Sequence, residues 1–183
     1  MSTLSIGAMN QLGDALENAG WTAEEVTKLK QFKNLSGIRD LVYGKAVITY
    51  PEHLIDCDAA PFIPEGFTLV EHKKIGLWKW NPGIPFYLSK KQKKGSITGN
   101  DLKKELVDQP VLNANVLDYL LAHQELIPES WKGKAIFFWG TIYRNSDGRL
   151  YVRYLGWGGS EWYWYYRWLD DGFYSGRPAA LAS

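Results

Sequence analysis

The 183-residue sequence predicts an α+β chain, an N-terminal helical unit followed by a domain that ends in an antiparallel sheet. Three observations carry this. Apolar residues recur at helical spacing through residues 1–49. Pro51, Pro61, Pro64 and Gly66 then interrupt the pattern. Toward the C-terminus, β-prone runs alternate with turn signals rich in Gly, Asn and Asp.

In the helical unit, Leu4, Ala8, Leu12, Ala15, Leu16 and Ala19 share one face, and Gly20 stands where a C-cap glycine would. Thr22 and Glu25 have capping-box spacing and open a second helix with Val26, Leu29 and Phe32 on one side. A third helix follows Ser36 through Ile38, Leu41 and Val42 and stops at Gly44. The apolar faces are narrow, so this unit is expected to pack on something else rather than fold alone. Residues 50–66 read as a connector. The domain over 67–183 opens with extended segments at Phe67–Leu69 and Ile75–Trp80, closed by Asn81-Pro82-Gly83, and a short strand Pro85–Ser89. The lysine-rich stretch Ser89–Ser96 reads as a loop. Helices follow near 100–107 and 112–123, the second turning Val116, Leu117, Leu120 and Leu121 inward. Three antiparallel strands complete the chain. Ala135–Arg144 turns at Asn145-Ser146-Asp147-Gly148 into Arg149–Trp157, which turns at Gly158-Gly159-Ser160 into Glu161–Leu169. No internal repeat of solenoid length is present.

Bulk properties exclude several function classes. Hydrophobic content of 45% and a net charge of +1 describe a soluble globular chain, not a general nucleic-acid or membrane binder. Cys57 is the only cysteine, so an intrachain disulfide and a zinc site of several thiolates are both excluded. No apolar run reaches the roughly 18 residues of a membrane span, and the N-terminus lacks the basic-then-apolar order of a secretory signal. The default location is cytoplasmic, with surface display left open. Charge is uneven: residues 67–105 hold nine basic and three acidic side chains. Lys73, Lys74, Lys90, Lys91, Lys93, Lys94, Lys103 and Lys104 could grip phosphates, but they lack interleaved aromatics and read as a solvated loop, so nucleic acid is not the expected partner.

Little points to catalysis. Cys57 lies near His53 and His72 in sequence, as a nucleophile and its base would, yet no family-type motif surrounds it and a lone buried cysteine is usually inert. Asp56-x-Asp58 lacks the later ligands of a calcium loop. His123, ending an apolar helix, suits a capping or cationic role. There is no phosphate loop, zincin helix or nucleophile elbow. Neither enzymatic activity nor a cofactor or metal is expected.

The segment 150–183 is compositionally unlike the rest. Fifteen of the 27 aromatic residues lie between Phe137 and Tyr174, and four of the nine tryptophans (Trp157, Trp162, Trp164, Trp168) fall within twelve residues. The residues between them are mostly Gly, Ser, Tyr, Asp and Arg, the vocabulary of adaptable recognition surfaces. Strand alternation places Trp162, Trp164, Tyr166 and Trp168 on one face and Tyr163, Tyr165 and Arg167 on the other. The tryptophan face is expected to pack on the core, leaving the Tyr/Tyr/Arg face exposed, where such residues make binding hot spots. The alternative is an aromatic sheet buried between two layers.

From Phe137 onward the chain resembles the variable proteins of diversity-generating retroelements, found in bacteria, archaea and their viruses. The resemblance covers the last third and rests on the frame FFWGTIYR (137–144), SDGR (146–149), LYVRYL (150–155) and PAALAS (178–183), with the composition between. In that family a reverse transcriptase copies a template repeat with errors confined to adenines, so that AAC codons become NNC. Such codons never encode Trp, Glu, Gln, Lys or Met. On that arithmetic Gly156, Gly158, Gly159, Ser160, Tyr163, Tyr165, Tyr166, Arg167, Asp170, Asp171 and the run Gly172–Arg177 are replaceable. Trp157, Trp162, Trp164, Trp168, Leu169, Pro178, Ala179 and Ala180 need no adenine, and Glu161 must be a fixed position. The resemblance implies a C-type-lectin-like α+β domain that displays a variable region, here about 150–177. Some members end in Gly-Phe-Arg, where this chain has Pro178–Ser183.

The expected function is therefore non-enzymatic: a ligand-binding display protein for an unknown protein or glycan. Its contact residues would be Gly158, Gly159, Ser160, Tyr163, Tyr165, Tyr166, Arg167, Asp170, Asp171, Phe173, Tyr174, Ser175 and Arg177. The tyrosines would supply contact area, and the arginines and aspartates would pair with opposite charges. The alternatives are a carbohydrate-binding or other aromatic-rich binding domain, and an uncharacterised enzyme built on Cys57 and the histidines.

Overall fold

The computed structural model describes residues 5–29, 31, 35–47 and 52–182, and the chain divides into two compact units, Met1–Pro51 and Glu52–Ser183. Leu4, Phe32, Pro51 and Ser183, which figure in the sequence reading, lie outside the described residues.

The first unit holds α1 (Ile6–Asn18), α2 (Ala23–Leu29) and α3 (Leu35–Val42). The Ser5 hydroxyl caps α1 by accepting from the Ala8 amide at 3.1 Å. The capping box of α2 forms in both directions: the Thr22 amide donates to Glu25 at 2.7 Å, and the Glu25 amide donates to the Thr22 hydroxyl at 3.3 Å. Gly20 and Gly44 follow α1 and α3 at φ 84° and 68°, the left-handed conformation that ends a helix. Neither α1 nor α2 contains a buried residue, consistent with their narrow apolar faces.

The second unit starts at Glu52, so residues 52–66 are not a connector. They form a folded corner. β1 (Leu54–Asp56) pairs antiparallel with β3 (Leu77–Lys79) and buries Ile55 and Cys57. The Asp56 carboxylate accepts from the Asp58 and Ala59 amides at 2.9 and 3.2 Å and turns the chain. The composition hid this because three residues of strand between prolines show no periodicity.

The main sheet runs β4 (Phe86–Tyr87), β10 (Ala179–Ala180), β6 (Ile136–Asn145), β7 (Leu150–Trp157), β8 (Trp162–Trp168), with β2 (Phe67–His72) pairing the far half of β6. β10 lies parallel to β6 and the other pairs are antiparallel. The C-terminal tail thus sits inside the sheet, where Ala179 and Ala180 are fully buried. A second small sheet joins β5 (Ile97–Thr98) to β9 (Gly172–Phe173). Ser89–Ser96 is not a loop: α4 (Lys90–Lys94) forms there because Ser89 and Gln92 make a complete capping box. α5 (Gly99–Glu105) and α6 (Ala114–Ala122) follow.

Both faces of β6 are covered. Ile136 and Phe138 join α6 (Val116, Leu117, Leu120) in one cluster, while Phe137 and Trp139 join Leu102, Leu106 and Phe173 in another. A register shift between Phe137 and Ile142 then reverses the phase, so that Ile142 points with Phe137 rather than with Phe138. Gly140 sits in this stretch, and a Cβ there would lie 2.9 Å from the Asn113 backbone. Only glycine lets the start of α6 approach the strand so closely.

Candidate ligand-binding surface

β8 is held by β7 in continuous register from Tyr151↔Trp168 to Trp157↔Trp162. One face carries Tyr151, Arg153, Leu155 and Trp157 opposite Trp168, Tyr166, Trp164 and Trp162. Trp162 is buried there, and Trp157 and Trp164 pack on the α6 cluster. At its centre Arg153 is 1% exposed and forks onto Asp118 of α6 at 2.6 and 3.1 Å. Its guanidinium also lies 4.3 Å from the Trp164 ring centroid. The alternation expected from sequence is present, and a buried arginine on the tryptophan side, invisible in the pattern, fixes it.

The opposite face is open toward the end of the hairpin. Tyr163 and Tyr165 are 40% and 53% exposed, and Arg167 is half-buried. Tyr163 lies across Gly156, its cross-strand partner, where a Cβ would come within 2.9 Å of the phenol. The ring shields a glycine that otherwise has nothing to pack. Gly158, Gly159 and Ser160 form the exposed hairpin tip, closed by the Gly158 amide donating to the Glu161 carbonyl at 2.9 Å. Tyr165 stacks on Tyr166 at 4.6 Å and 11°, while Tyr166 also packs against Phe67 and Tyr151.

Beyond β8 the tail crosses α5 and returns. Asp170 is exposed and accepts from the Asn100 amide, and Asp171 pairs with Arg167 at 3.4 Å. Phe173 is fully buried against Phe137 and Trp139, so it is a core residue and not a contact residue. Its position in β9 turns it toward the sheet, which the tail's polar composition did not reveal. Tyr174 and Ser175 are exposed. Gln92, buried in α4, anchors this loop by donating to the carbonyls of Arg177 and Tyr174 at 2.9 and 3.3 Å.

Between the open face and this loop lies a cavity of about 270 Å³. Its lining brings together four expected residues, Tyr163, Arg167, Tyr174 and Arg177, and adds Lys134, Tyr154, Gly156 and Gly176. Gly158 to Ser160, Tyr165, Tyr166, Asp170, Asp171 and Ser175 are outside it. Both guanidiniums are set by one carbonyl: Arg177 Nη1 and Arg167 Nε donate to Gly172 O at 2.7 and 3.2 Å. Arg177 Nη2 donates to the Tyr174 hydroxyl at 2.8 Å. Burial and neighbouring Tyr163 push the Tyr154 phenol above its ordinary value, while Arg177 and Arg167 pull the other way. Tyr154 was legible in principle, since its even parity puts it on the Tyr163 side of the hairpin.

The other candidate sites come apart. Cys57 is fully buried, and burial, with Asp56 and Asp58 beside it, pushes its thiol up to about 11. His72 bonds the Cys57 carbonyl at 3.2 Å and the Thr141 hydroxyl at 2.9 Å, while His53 bonds the Tyr119 hydroxyl at 2.9 Å. Neither imidazole addresses the thiol, so no nucleophile–base pair is assembled. His123 caps α6 and lies 3.5 Å from Glu125. In the lysine-rich region Lys103 pairs with Glu71 and Lys104 with Asp101, and Lys73 donates to the Gln109 carbonyl. Among the described residues, no group of three or more His, Cys, Asp or Glu could hold a metal ion, and no helix is long and apolar enough to cross a membrane.

Comparison of the chain with family models, with curated proteins and with solved structures finds no match in any of the three.

Proposed function

We propose that this protein is a non-enzymatic ligand-binding protein whose C-terminal region, about 150–177, is a recognition surface of the kind that diversity-generating retroelements vary. One observation carries the reading. Trp162, Trp164 and Arg153 are locked against α6 while Tyr163, Tyr165 and the Gly158–Ser160 tip face outward from the same hairpin. A rigid frame that presents replaceable residues is what a varied binding surface requires. Rigid tyrosines supply contact area at low entropy cost, and Gly and Ser adapt. The ligand is a protein or a glycan. A carbohydrate-binding domain is the second reading, favoured by exposed Tyr165 stacked on half-buried Tyr166.

Two measurements test the proposal. Randomising Gly158, Ser160, Tyr165 and Ser175 together, with Gly159 kept because its φ of 96° favours glycine, should yield a library that stays mostly folded, and widespread unfolding would remove the frame-and-display division. Downstream DNA should hold a near-copy of the codons for 150–183, rich in AAC, near a reverse transcriptase gene. Its absence would leave an aromatic-rich binding domain, for which a glycan array is the next test.

A further inference from the structure

The cavity between β7, β8 and the 174–177 loop carries an excess of positive side chains. Lys134, Arg167 and Arg177 line it, and no carboxylate does. Asp171 pairs with Arg167 from outside the lining. Among the described residues Arg177 has no carboxylate side-chain partner within 4.0 Å. A guanidinium carries five N–H donors. Arg177 spends one on the Gly172 carbonyl and one on the Tyr174 hydroxyl, and its remaining donors are held in a fixed plane. The Tyr174 ring lies 4.0 Å from the guanidinium carbon and pins that plane from one side.

The two arginines are positioned before any ligand arrives. Sharing the Gly172 carbonyl brings Nη1 of Arg177 and Nε of Arg167 to one oxygen, so the two positive groups converge. Gln92 holds the backbone that carries Arg177, and the strand register holds Arg167 opposite Val152. Gly156 and Gly176 give the wall no side chains, and Tyr154 and Tyr163 provide hydroxyls. A volume of about 270 Å³ has room for a small charged group.

From this arrangement we infer that the Arg167–Arg177 cavity is an oxyanion subsite, receiving a carboxylate, phosphate or sulfate group carried by the ligand. The inference rests on this face being a recognition surface and adds what the surface reads. Planar, preset guanidiniums are the donors that match such groups bidentately. Tyr163 and Tyr165 would contact the body of the ligand while its charged group enters the cavity.

The test uses the full chain and three small probes: inorganic phosphate, inorganic sulfate and acetate, each titrated against chloride at constant ionic strength. Backbone and arginine Nε–H resonances are followed by NMR. At least one probe is expected to give saturable shifts centred on Gly156, Gly176, Arg167 and Arg177, and which one saturates first names the oxyanion. Arg177→Gln should weaken that binding by about tenfold or more. The wild-type shift map decides the matter even if this variant folds poorly. Shifts that do not saturate with any of the three probes, or that centre on Lys90–Gly95 instead, would overturn the subsite. So would an unchanged affinity in a folded Arg177→Gln protein. Such a failure is separable from that of the recognition surface. A library folded at the hairpin tip and Tyr165, with no anion bound, removes only the subsite. An unfolded library with localised anion binding removes only the display reading.

Discussion

Trp162 and Tyr163 are neighbours in the chain and opposites in surroundings: one is 6% exposed on the α6 cluster, the other 40% exposed over a glycine. The same contrast divides the whole C-terminal segment. Trp162, Phe173, Ala179 and Ala180 are buried, and Gly158, Ser160, Tyr165 and Ser175 are exposed. Buried and exposed side chains therefore interleave along the segment rather than occupying separate stretches. The pleat points neighbouring side chains of β8 apart, so a change at exposed Tyr165 leaves the packing of Trp162 beneath it untouched.

The division makes graded predictions. Phe173→Ala should cost about 3–5 kcal/mol, because it empties a fully buried site between Phe137 and Trp139. A urea midpoint close to that of the wild type would show that Phe173 is not a core residue. Asp118→Ala strands Arg153 without its counter-charge and should cost about 3 kcal/mol, the low end for a buried pair because Asp118 is 32% exposed. Combining Asp118→Leu with Arg153→Met should recover much of that loss in thermal melts, and no recovery would mean that the pair contributes more than mutual neutralisation. Gly156→Ala pushes a Cβ against the Tyr163 phenol and should cost about 1–2 kcal/mol. A double-mutant cycle with Tyr163→Ala should show positive coupling, and strict additivity would disprove the cross-strand contact as the cause. Tyr165→Ala should shift stability by no more than about 0.5 kcal/mol, as for other exposed sites. At the bottom of the scale, Cys57 should resist alkylation by iodoacetamide at neutral pH in the native state, its thiol being buried and pushed up to about 11. Rapid native-state labelling would reopen the question of a reactive cysteine.

Alternation in a strand is local, so the outward face of Tyr163, Tyr165 and Arg167 follows from their order, and the hairpin turns at Asn145–Gly148 and Gly158–Ser160 are signalled by their own residues. Phe173 defeated the same reasoning, because a two-residue strand paired with β5 has no period to detect. Parity puts Tyr154 and Gly156 on the Tyr163 side of the hairpin, but Lys134 joins the cavity only through the return of the chain in the fold. The lysine-rich stretch misled in a different way: charge suggested a loop, and the Ser89–Gln92 capping box closed a helix.

By itself the sequence determined the α+β class, the helices of the N-terminal unit, the three-strand meander and the separation of Trp from Tyr along β8. Each of these is encoded in spacing, capping or turn residues over a span of a few positions. Tertiary structure alone decided that residues 52–66 belong to the second unit, that the C-terminal tail threads between β4 and β6, that Arg153 is buried against Asp118, and that Arg167 and Arg177 converge on one carbonyl. Those features join residues far apart in the chain or turn on which side chains a particular register brings together. No local periodicity records such a meeting, because it is selected by the burial and pairing of the folded domain as a whole.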